Sequence, residues 1–143
     1  MFAVDTNILV YAHRRDSDFH VPAKALLTEL AEGGASWAIP SACIHEFLAV
    51  VSNPRIFKPA STSKQAIEQV DAWLASPSVT LLHGGAEHWQ VLARLLTQSK
   101  AVGGAVHDAR IAAICIENGV KMLYAADRDF AKFKGVKVSN PLV

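Results

Sequence analysis

The sequence is poor in the residues that build disulfide-stapled proteins or zinc sites. Its 143 residues include only two cysteines, Cys43 and Cys115, without a paired spacing. Each lies in an apolar run, which is typical of buried thiols in a reducing compartment and argues against a disulfide or a zinc site. Neither sign of charge is in excess, since 14 basic residues nearly cancel 13 acidic ones. The net charge therefore indicates no particular kind of binding partner.

Long apolar runs are also missing. No apolar stretch approaches the roughly 18 residues of a membrane helix, and the first residues lack the basic, apolar and small-residue order of a secretory signal. We therefore expect a cytoplasmic protein with no membrane partner. Repeats, low-complexity tracts and linkers are absent, and 51% of the residues are apolar. Residues 1–143 are expected to form a single domain with a sizeable core.

Short apolar segments alternate with amphipathic ones along the chain. The predicted strands are 2–4, 36–39, 79–82, 121–125 and 136–139. The predicted helices are 6–14, 19–32, 40–52, 61–75, 86–98 and 105–117, with a short helical turn at 129–133. This alternation is typical of an α/β fold with a central, mostly parallel sheet of four to five strands.

The first predicted strand ends on a carboxylate. Phe2-Ala3-Val4 leads into Asp5, and an apolar helix follows at once. Ligands of open parallel sheets bind just beyond the carboxyl ends of the strands, so Asp5 is a candidate site residue. The structural alternative is that Asp5 only caps the helix.

Glu46 belongs to a helix that is apolar nearly all round. Its neighbours on the side away from the core stripe are Ala42, Ala49 and Val50 instead of charged residues. Such a helix is usually buried, and a buried Glu needs a partner. A solvent-facing Glu is the alternative. A zinc protease is excluded, because its HExxH motif would need a histidine where Ala49 stands.

Asp108 lies in the first turn of a predicted helix, in line with Ile111, Ala112 and Cys115. The positive end of the helix favours its ionised form. An ordinary first-turn acid is the alternative, but the apolar stripe beneath Asp108 favours a functional role.

Asp127 and Asp129 follow directly on the apolar strand at 121–125. One of them is expected to cap the short helical turn, which leaves the other free.

These acids come from two strand ends and two helices. If they converge, their mutual repulsion must be offset by a cation. Oxygen ligands suit Mg²⁺ or Mn²⁺ better than Zn²⁺. Sites of this kind hydrolyse phosphodiesters by activating a water molecule and stabilising the leaving oxygen.

In this order, the motifs resemble those of the PIN-domain ribonucleases, and among them the VapC-type toxins of bacterial toxin–antitoxin pairs. The matching segments are Val4-Asp5-Thr6-Asn7-Ile8-Leu9, the helix from Pro40-Ser41 to Glu46-Phe47, residues 104–113 around His107-Asp108-Ala109, and Ala126-Asp127-Arg128-Asp129-Phe130. The resemblance implies a three-layer α/β/α fold and a metal-dependent endoribonuclease. It places the acidic, metal-binding and catalytic quartet on Asp5, Glu46, Asp108 and Asp127, with Asn7 and Asp129 as supporting residues.

The resemblance also implies partners. Such toxins act on RNA, and a small cognate antitoxin blocks the acidic pocket and brings the pair to operator DNA. They commonly form homodimers. One departure concerns Ala125, because the family usually has Thr or Ser two residues before the fourth acid.

Several basic residues lie in predicted loops or near strand ends and are candidate phosphate contacts. They are Arg14, Arg15, Arg55, Lys58 and Arg128. Solvated surface charges are the alternative for each of them.

Other functions remain open from the residues alone. An aspartyl-phosphate phosphatase would need an Asp where Asn7 stands, and a receiver domain would need an acceptor Asp where the strand at 79–82 runs into His83. A PIN-domain RNA-processing nuclease that is not a toxin, and a catalytically weak PIN-like module that only binds RNA or an antitoxin, are further alternatives.

Overall fold

Five strands form one sheet in the computed structural model, which describes residues 1–143. The elements in chain order are β1 (Phe2–Val4), α1 (Thr6–His13), α2 (His20–Glu32), β2 (Trp37–Pro40), α3 (Ser41–Val51), α4 (Ser63–Leu74), β3 (Val79–Leu82), α5 (His88–Ser99), α6 (Ala105–Glu117), β4 (Met122–Tyr124), a 3₁₀ turn (Arg128–Lys132) and β5 (Val138–Ser139). None of the helices combines the length and apolarity needed to cross a bilayer.

The strand order across the sheet is β3-β2-β1-β4-β5, and every neighbouring pair is parallel. The chain builds outward from β1 to β3 and then returns to the other side of β1 to form β4. The order therefore reverses between β1 and β4. Val4 lies opposite Tyr124 there, and the Asp5 amide donates to the Tyr124 carbonyl at 2.9 Å. A reversal of this kind opens a crevice at the carboxyl ends of the two strands.

Helices cover both faces of the sheet. Right-handed crossovers put α1 to α4, which connect β1 with β3, on one face, and α5 and α6, which lead back to β4, on the other. Accordingly, α1 packs on α2 and α3, α3 packs on α4, and α5 packs on α6. The expected three-layer α/β/α fold is confirmed, with a sheet that is wholly parallel.

The central strands carry the most deeply buried side chains. Trp37, Ala38 and Ile39 of β2 and Leu123 of β4 are fully buried, as is Val4 of β1. In a strand that is covered on both faces, the sequence is a continuous apolar run instead of an alternation of apolar and polar residues. One hydrophobic cluster joins both helical layers through the sheet, and this packing holds the carboxyl edge of the sheet in place.

The predicted boundaries agree with the structure to within two residues at each end. The helix predicted from Ser61 begins at Ser63, because Thr62 and Gln65 form a reciprocal capping box. Gly119 ends α6 with a φ of +67°, as expected of a C-terminal glycine. At the end of α2, Gly33 instead has an extended backbone conformation, with a φ of −75°.

Candidate active site

Asp5 is the most deeply buried acid of the chain, with 4% of its surface exposed. It occupies the N-cap position of α1, but its side chain makes no hydrogen bond of capping geometry. Burial is the main reason that its pKa rises to about 7, and the charges of Glu46 and Asp108 raise it further. The amides of Thr6 and Asn7 oppose this rise only in part. Asp5 thus occupies the cap position without a capping hydrogen bond, and its role in the site stays a prediction.

Two thiols pack around this carboxylate. Cys43 Sγ donates a weak hydrogen bond to Asp5 Oδ1 at 3.8 Å, and both cysteines are buried and unpaired. Burial, followed by the charge of Asp5, raises the pKa of Cys43 well above its usual range and that of Cys115 to about 12. Neither thiol is ionised at neutral pH, so the residues next to Asp5 offer no thiolate ligand. The Thr6 hydroxyl beside them is buried without a hydrogen-bond partner.

Asp108 lies half-buried in the first turn of α6. Burial is again the main reason that its pKa is raised, and the charges of Asp127, Glu46 and Asp129 add to the effect. Lys132, on the 3₁₀ turn, is the one cation that lowers it. The pKa of Asp108 is therefore influenced both by an acid of α3 and by the two acids that follow β4.

Asp127 and Asp129 follow β4 across the crevice from Asp5. Asp127 caps the 3₁₀ turn, because its Oδ1 accepts a hydrogen bond from the Asp129 amide at 2.8 Å. The capping acid is thus Asp127, and its second oxygen is left free for another ligand. One carboxylate oxygen from each of Asp108, Asp127 and Asp129 can lie within 4.8 Å of the other two, which is close enough for all three to bind one ion.

Glu46 completes the group from α3. It is half-buried and lines a cavity of about 300 Å³ with His45, His107 and Arg110. Its charge contributes to the raised pKa of both Asp5 and Asp108. Glu46 is thus only partly exposed and its charge influences other acids of the site, while its catalytic role stays a prediction.

The supporting residues are less tightly connected. Asn7 is half-buried beside Asp5.

Arg14 and Arg15 line a separate cavity of about 540 Å³ that contains none of the five acids. Arg14 is already held there, because it donates to Asp16 at 2.6 Å and lies 4.3 Å from the centre of the Phe57 ring.

The remaining basic candidates are all exposed. Arg55 and Lys58 belong to the loop between α3 and α4, and Arg128 adjoins Asp127. Their contact with RNA stays a prediction, as does that of Arg14 and Arg15.

Asp108, Asp127 and Asp129 thus lie within reach of one ion at this edge of the sheet. Asp5 and Glu46 are outside that group of three, but both interact with Asp108 through their charges. An all-oxygen donor set of this kind fits a hard divalent cation such as Mg²⁺ or Mn²⁺. Bound there, a cation would favour the ionised forms of Asp5 and Asp108. The donor chemistry therefore fits the expected metal, and it offers nothing that would select Zn²⁺.

Sequence reasoning missed the contact between Cys43 and Asp5. The signal was present, since Cys43 precedes Glu46 by three residues and so lies on the same side of α3. The proximity of Lys132 to Asp108 depends on how the 3₁₀ turn packs against α6, which the sequence does not show.

Comparison with known proteins agrees with this geometry. The PIN domain family model matches residues 2–136, so the chain is a PIN-domain protein. Over 142 residues it is 37% identical to ribonuclease VapC43 of Mycobacterium tuberculosis, with 99% of this chain and 96% of the relative covered. Within the PIN-domain family, the chain belongs to the VapC ribonucleases.

Solved structures share the fold at lower identity. VapBC2 from Rickettsia felis, bound to a DNA fragment from its promoter, superposes with a TM-score of 0.70 at 21% identity, with 97% of each chain covered. VapC20 of Mycobacterium tuberculosis, described as a sarcin-ricin loop cleaving toxin, also gives a TM-score of 0.70 at 21% identity, covering 96% of this chain and 99% of that one.

Proposed function

We propose that this chain is the toxin of a type II toxin–antitoxin pair, an endoribonuclease that hydrolyses RNA phosphodiester bonds with the help of a divalent cation. The observation that carries the proposal is the grouping of Asp108, Asp127 and Asp129 within reach of one ion at the reversal of the strand order, in a chain of the VapC family. Asp5 and Glu46 are near enough for their charges to influence this group. Partly buried carboxylates that raise one another's pKa values are typical of functional sites.

Asp5, Glu46, Asp108 and Asp127 are proposed to hold the cation, directly or through water. Asp129 lies within reach of the same ion, beside Asp108 and Asp127. When bound, Mg²⁺ or Mn²⁺ would polarise the phosphodiester and acidify a bound water.

Contacts within the chain hold two of the proposed acids in position. Asp127 is fixed by its bond to the Asp129 amide, and Asp5 is fixed by burial and by the Cys43 thiol. With these two acids fixed, Glu46 is proposed to orient the attacking water.

Partners of the family are part of the proposal. The VapBC2 complex from Rickettsia felis is bound to promoter DNA, and VapBC from Salmonella typhimurium is likewise described as DNA-bound. By analogy, a small antitoxin covers the acidic edge of this chain and supplies the contact with operator DNA, and the toxin itself forms a homodimer. Two buried, unpaired cysteines are consistent with action in the reducing cytoplasm.

Ala125 bears on the expected rate of cleavage. It is buried at the end of β4, with its amide donating to the Ser139 carbonyl at 3.0 Å. No hydroxyl is available at this position to hold a metal-bound water, so cleavage is expected to be slower than in relatives that have Thr or Ser there. A binding-only module is the functional alternative that this observation favours.

The test is cleavage of RNA by the purified chain during titration with Mg²⁺ or Mn²⁺. We expect cleavage that appears with the metal and disappears with EDTA. Asp108→Asn and Asp127→Asn should each lower the rate by at least about a hundredfold, because they remove a ligand charge while keeping the shape of the side chain. In the Asp127→Asn variant the amide oxygen can still accept the bond from the Asp129 amide, so the fold is retained.

Asp71→Asn is the matched control, since it removes an exposed carboxylate of α4 that is remote from the acids. Its rate should equal that of the unmodified chain. Absence of cleavage with either metal on mixed cellular RNA, despite metal binding and a native fold, would favour the binding-only module instead.

A further inference from the structure

A groove continues from the acidic edge along the place where α3 meets α6. The cavity of about 300 Å³ beside Glu46 and a second cavity of about 410 Å³ share two lining residues, His45 and Arg110. The two cavities therefore lie side by side, with His45 and Arg110 between them. We call the pair the α3–α6 groove, and its ionisable lining residues are His45, Glu46, His83, His88, His107 and Arg110.

Arg110 is the one arginine or lysine that lines the groove. Arg110 is exposed and makes neither an ion pair nor a hydrogen bond with the protein. The only acid that lines the groove, Glu46, stands at the end that belongs to the acidic edge. A free guanidinium at this place is available to a phosphate, which it can bind through two parallel hydrogen bonds.

The far end of the groove is preorganised. His88 Nδ1 lies 2.6 Å from Glu117, whose other oxygen accepts the Gly85 amide at 3.0 Å. A Cβ at Gly84 would lie 2.9 Å from the His88 ring, so the glycine lets the backbone pass directly over the imidazole. Glu117 is thus engaged inside the protein and does not line the groove.

The length of the groove suits a short single strand. His107, Arg110 and Ile114 follow one another at helical spacing on one side of α6 and line it together. Seven residues of helix span roughly 10 Å, the length of about three stacked nucleotides at ~3.4 Å each. The exposed imidazoles of His45 and His83 offer flat surfaces on which unpaired bases stack.

We infer that the α3–α6 groove binds a single-stranded RNA segment next to the bond that is cleaved. Arg110 contacts a backbone phosphate, and His45 and His83 stack on bases. This inference rests on the proposed function, because Glu46, one of the proposed catalytic acids, lines the groove. The cavity lined by Arg14 and Arg15 is less suitable for RNA next to the cleaved bond, because none of the proposed catalytic acids lines it. The one acid in its lining, Asp16, already pairs with Arg14.

The experiment measures binding and cleavage separately. Binding of a fluorescein-labelled, unstructured oligoribonucleotide is followed by anisotropy in EDTA, with a duplex RNA of equal length as the second probe. Arg110→Gln should weaken binding of the single strand about tenfold and reduce the dependence of log affinity on log salt by about one charge. Arg110→Lys keeps the charge and should recover most of this loss.

Arg94→Gln is the matched control, because Arg94 is an equally exposed helical arginine that lines neither part of the groove. It should bind like the unmodified chain. In the cleavage assay, Arg110→Gln should raise KM while kcat at saturating RNA is retained, since the acids are untouched.

Equal affinity and KM for Arg110→Gln and Arg94→Gln would overturn the groove assignment while leaving the nuclease in place. A preference for the duplex probe over the single strand would also overturn it. If no RNA is cleaved with any metal but Arg110→Gln still weakens single-strand binding, the proposed function fails and the groove assignment stands.

Discussion

At the scale of single residues, the site is defined by what surrounds Asp5. The residue adjoins a strand end, where a helix cap would be unremarkable, yet its carboxylate makes no bond of capping geometry. Buried thiols lie beside it, and the charges of Glu46 and Asp108 oppose its ionisation. The free protein therefore holds a carboxylate that is costly to ionise, and a bound cation would remove that cost.

This predicts a pH-dependent stability for the metal-free protein. Because the pKa of Asp5 is raised from 3.8 to about 7, the native state binds more protons than the unfolded state between these values. The free energy of unfolding should therefore fall as the pH rises from about 4 to about 7, by roughly 4 kcal/mol at most. Urea titrations in EDTA across this range measure the effect.

Asp5→Asn should abolish most of this slope and stabilise the metal-free protein at pH 8, since the amide cannot ionise. It should also lose the rise in Tm that Mg²⁺ gives the unmodified chain. Asp71→Asn, on the exposed side of α4, should keep both the slope and the response to Mg²⁺. An unchanged slope in Asp5→Asn would show that another group titrates there.

At the scale of elements, α6 presents different residues on different sides. Ile111, Ala112 and Cys115 are buried beneath it, and Asp108 in its first turn faces the other acids. Arg110 stands on the exposed side, toward α3. One helix thus supplies a proposed metal ligand, a core stripe and a wall of the groove, and its position against the sheet fixes all three at once.

Most helices of this protein are held by packing instead of caps. Only α4 has a side-chain capping box, in which Thr62 and Gln65 each satisfy a backbone amide of the other. This box also leaves Ser61 outside the helix, where its hydroxyl meets His13 at 2.9 Å. The start of α4 is therefore set locally, whereas the other helix starts depend on their neighbours.

Thr62→Ala should accordingly lower the free energy of unfolding by about 1 kcal/mol, the usual cost of losing such a cap. Urea denaturation measures it directly. Ser63→Ala, the exposed neighbour in the first turn, should change stability by no more than a few tenths of a kcal/mol. Equal effects of the two substitutions would mean that the box adds nothing. RNA cleavage should be unaffected in both, because neither residue lines the acidic edge or the groove.

At the scale of the whole molecule, the decisive feature is the order of the strands. Returning from β3 to the far side of β1 puts the ends of β1 and β4 side by side, and this joins the two halves of the sequence in one crevice. The VapBC2 and VapC20 structures share the fold of this chain, so the arrangement is found in other members of the family.

A single hydrophobic cluster that links both helical layers predicts that residues 1–143 unfold as one unit. Urea denaturation followed by tryptophan fluorescence should coincide with that followed by far-ultraviolet circular dichroism. Trp37 and Trp73 are buried and report on the core, whereas Trp89 is 68% exposed. Trp89→Phe should therefore leave the midpoint unchanged, and two separate transitions would refute the single domain.

The sequence by itself determined the elements and the candidate acids. Buried strands and amphipathic helices have distinct hydrophobic periods, so their order and the parallel sheet follow from local patterns. The motifs around Asp5, Glu46, Asp108 and Asp127 could be recognised for the same reason, since each lies at a fixed place relative to a strand end or an apolar stripe. The sequence did not predict the capping box at Thr62 or the groove beside Arg110, because hydrogen-bond partners and cavity walls do not follow a period along the chain.

Only the tertiary structure decided which of these groups meet. A spacing along the chain does not state a distance in space, and Asp5 and Asp108 are more than a hundred residues apart. The return of the chain across β1 brings them together, and it also places Asp129 with Asp108 and Asp127 and leaves Arg14 in a different cavity. Charge interactions fall off with distance, so the chemistry of this protein depends on that packing and not on its composition.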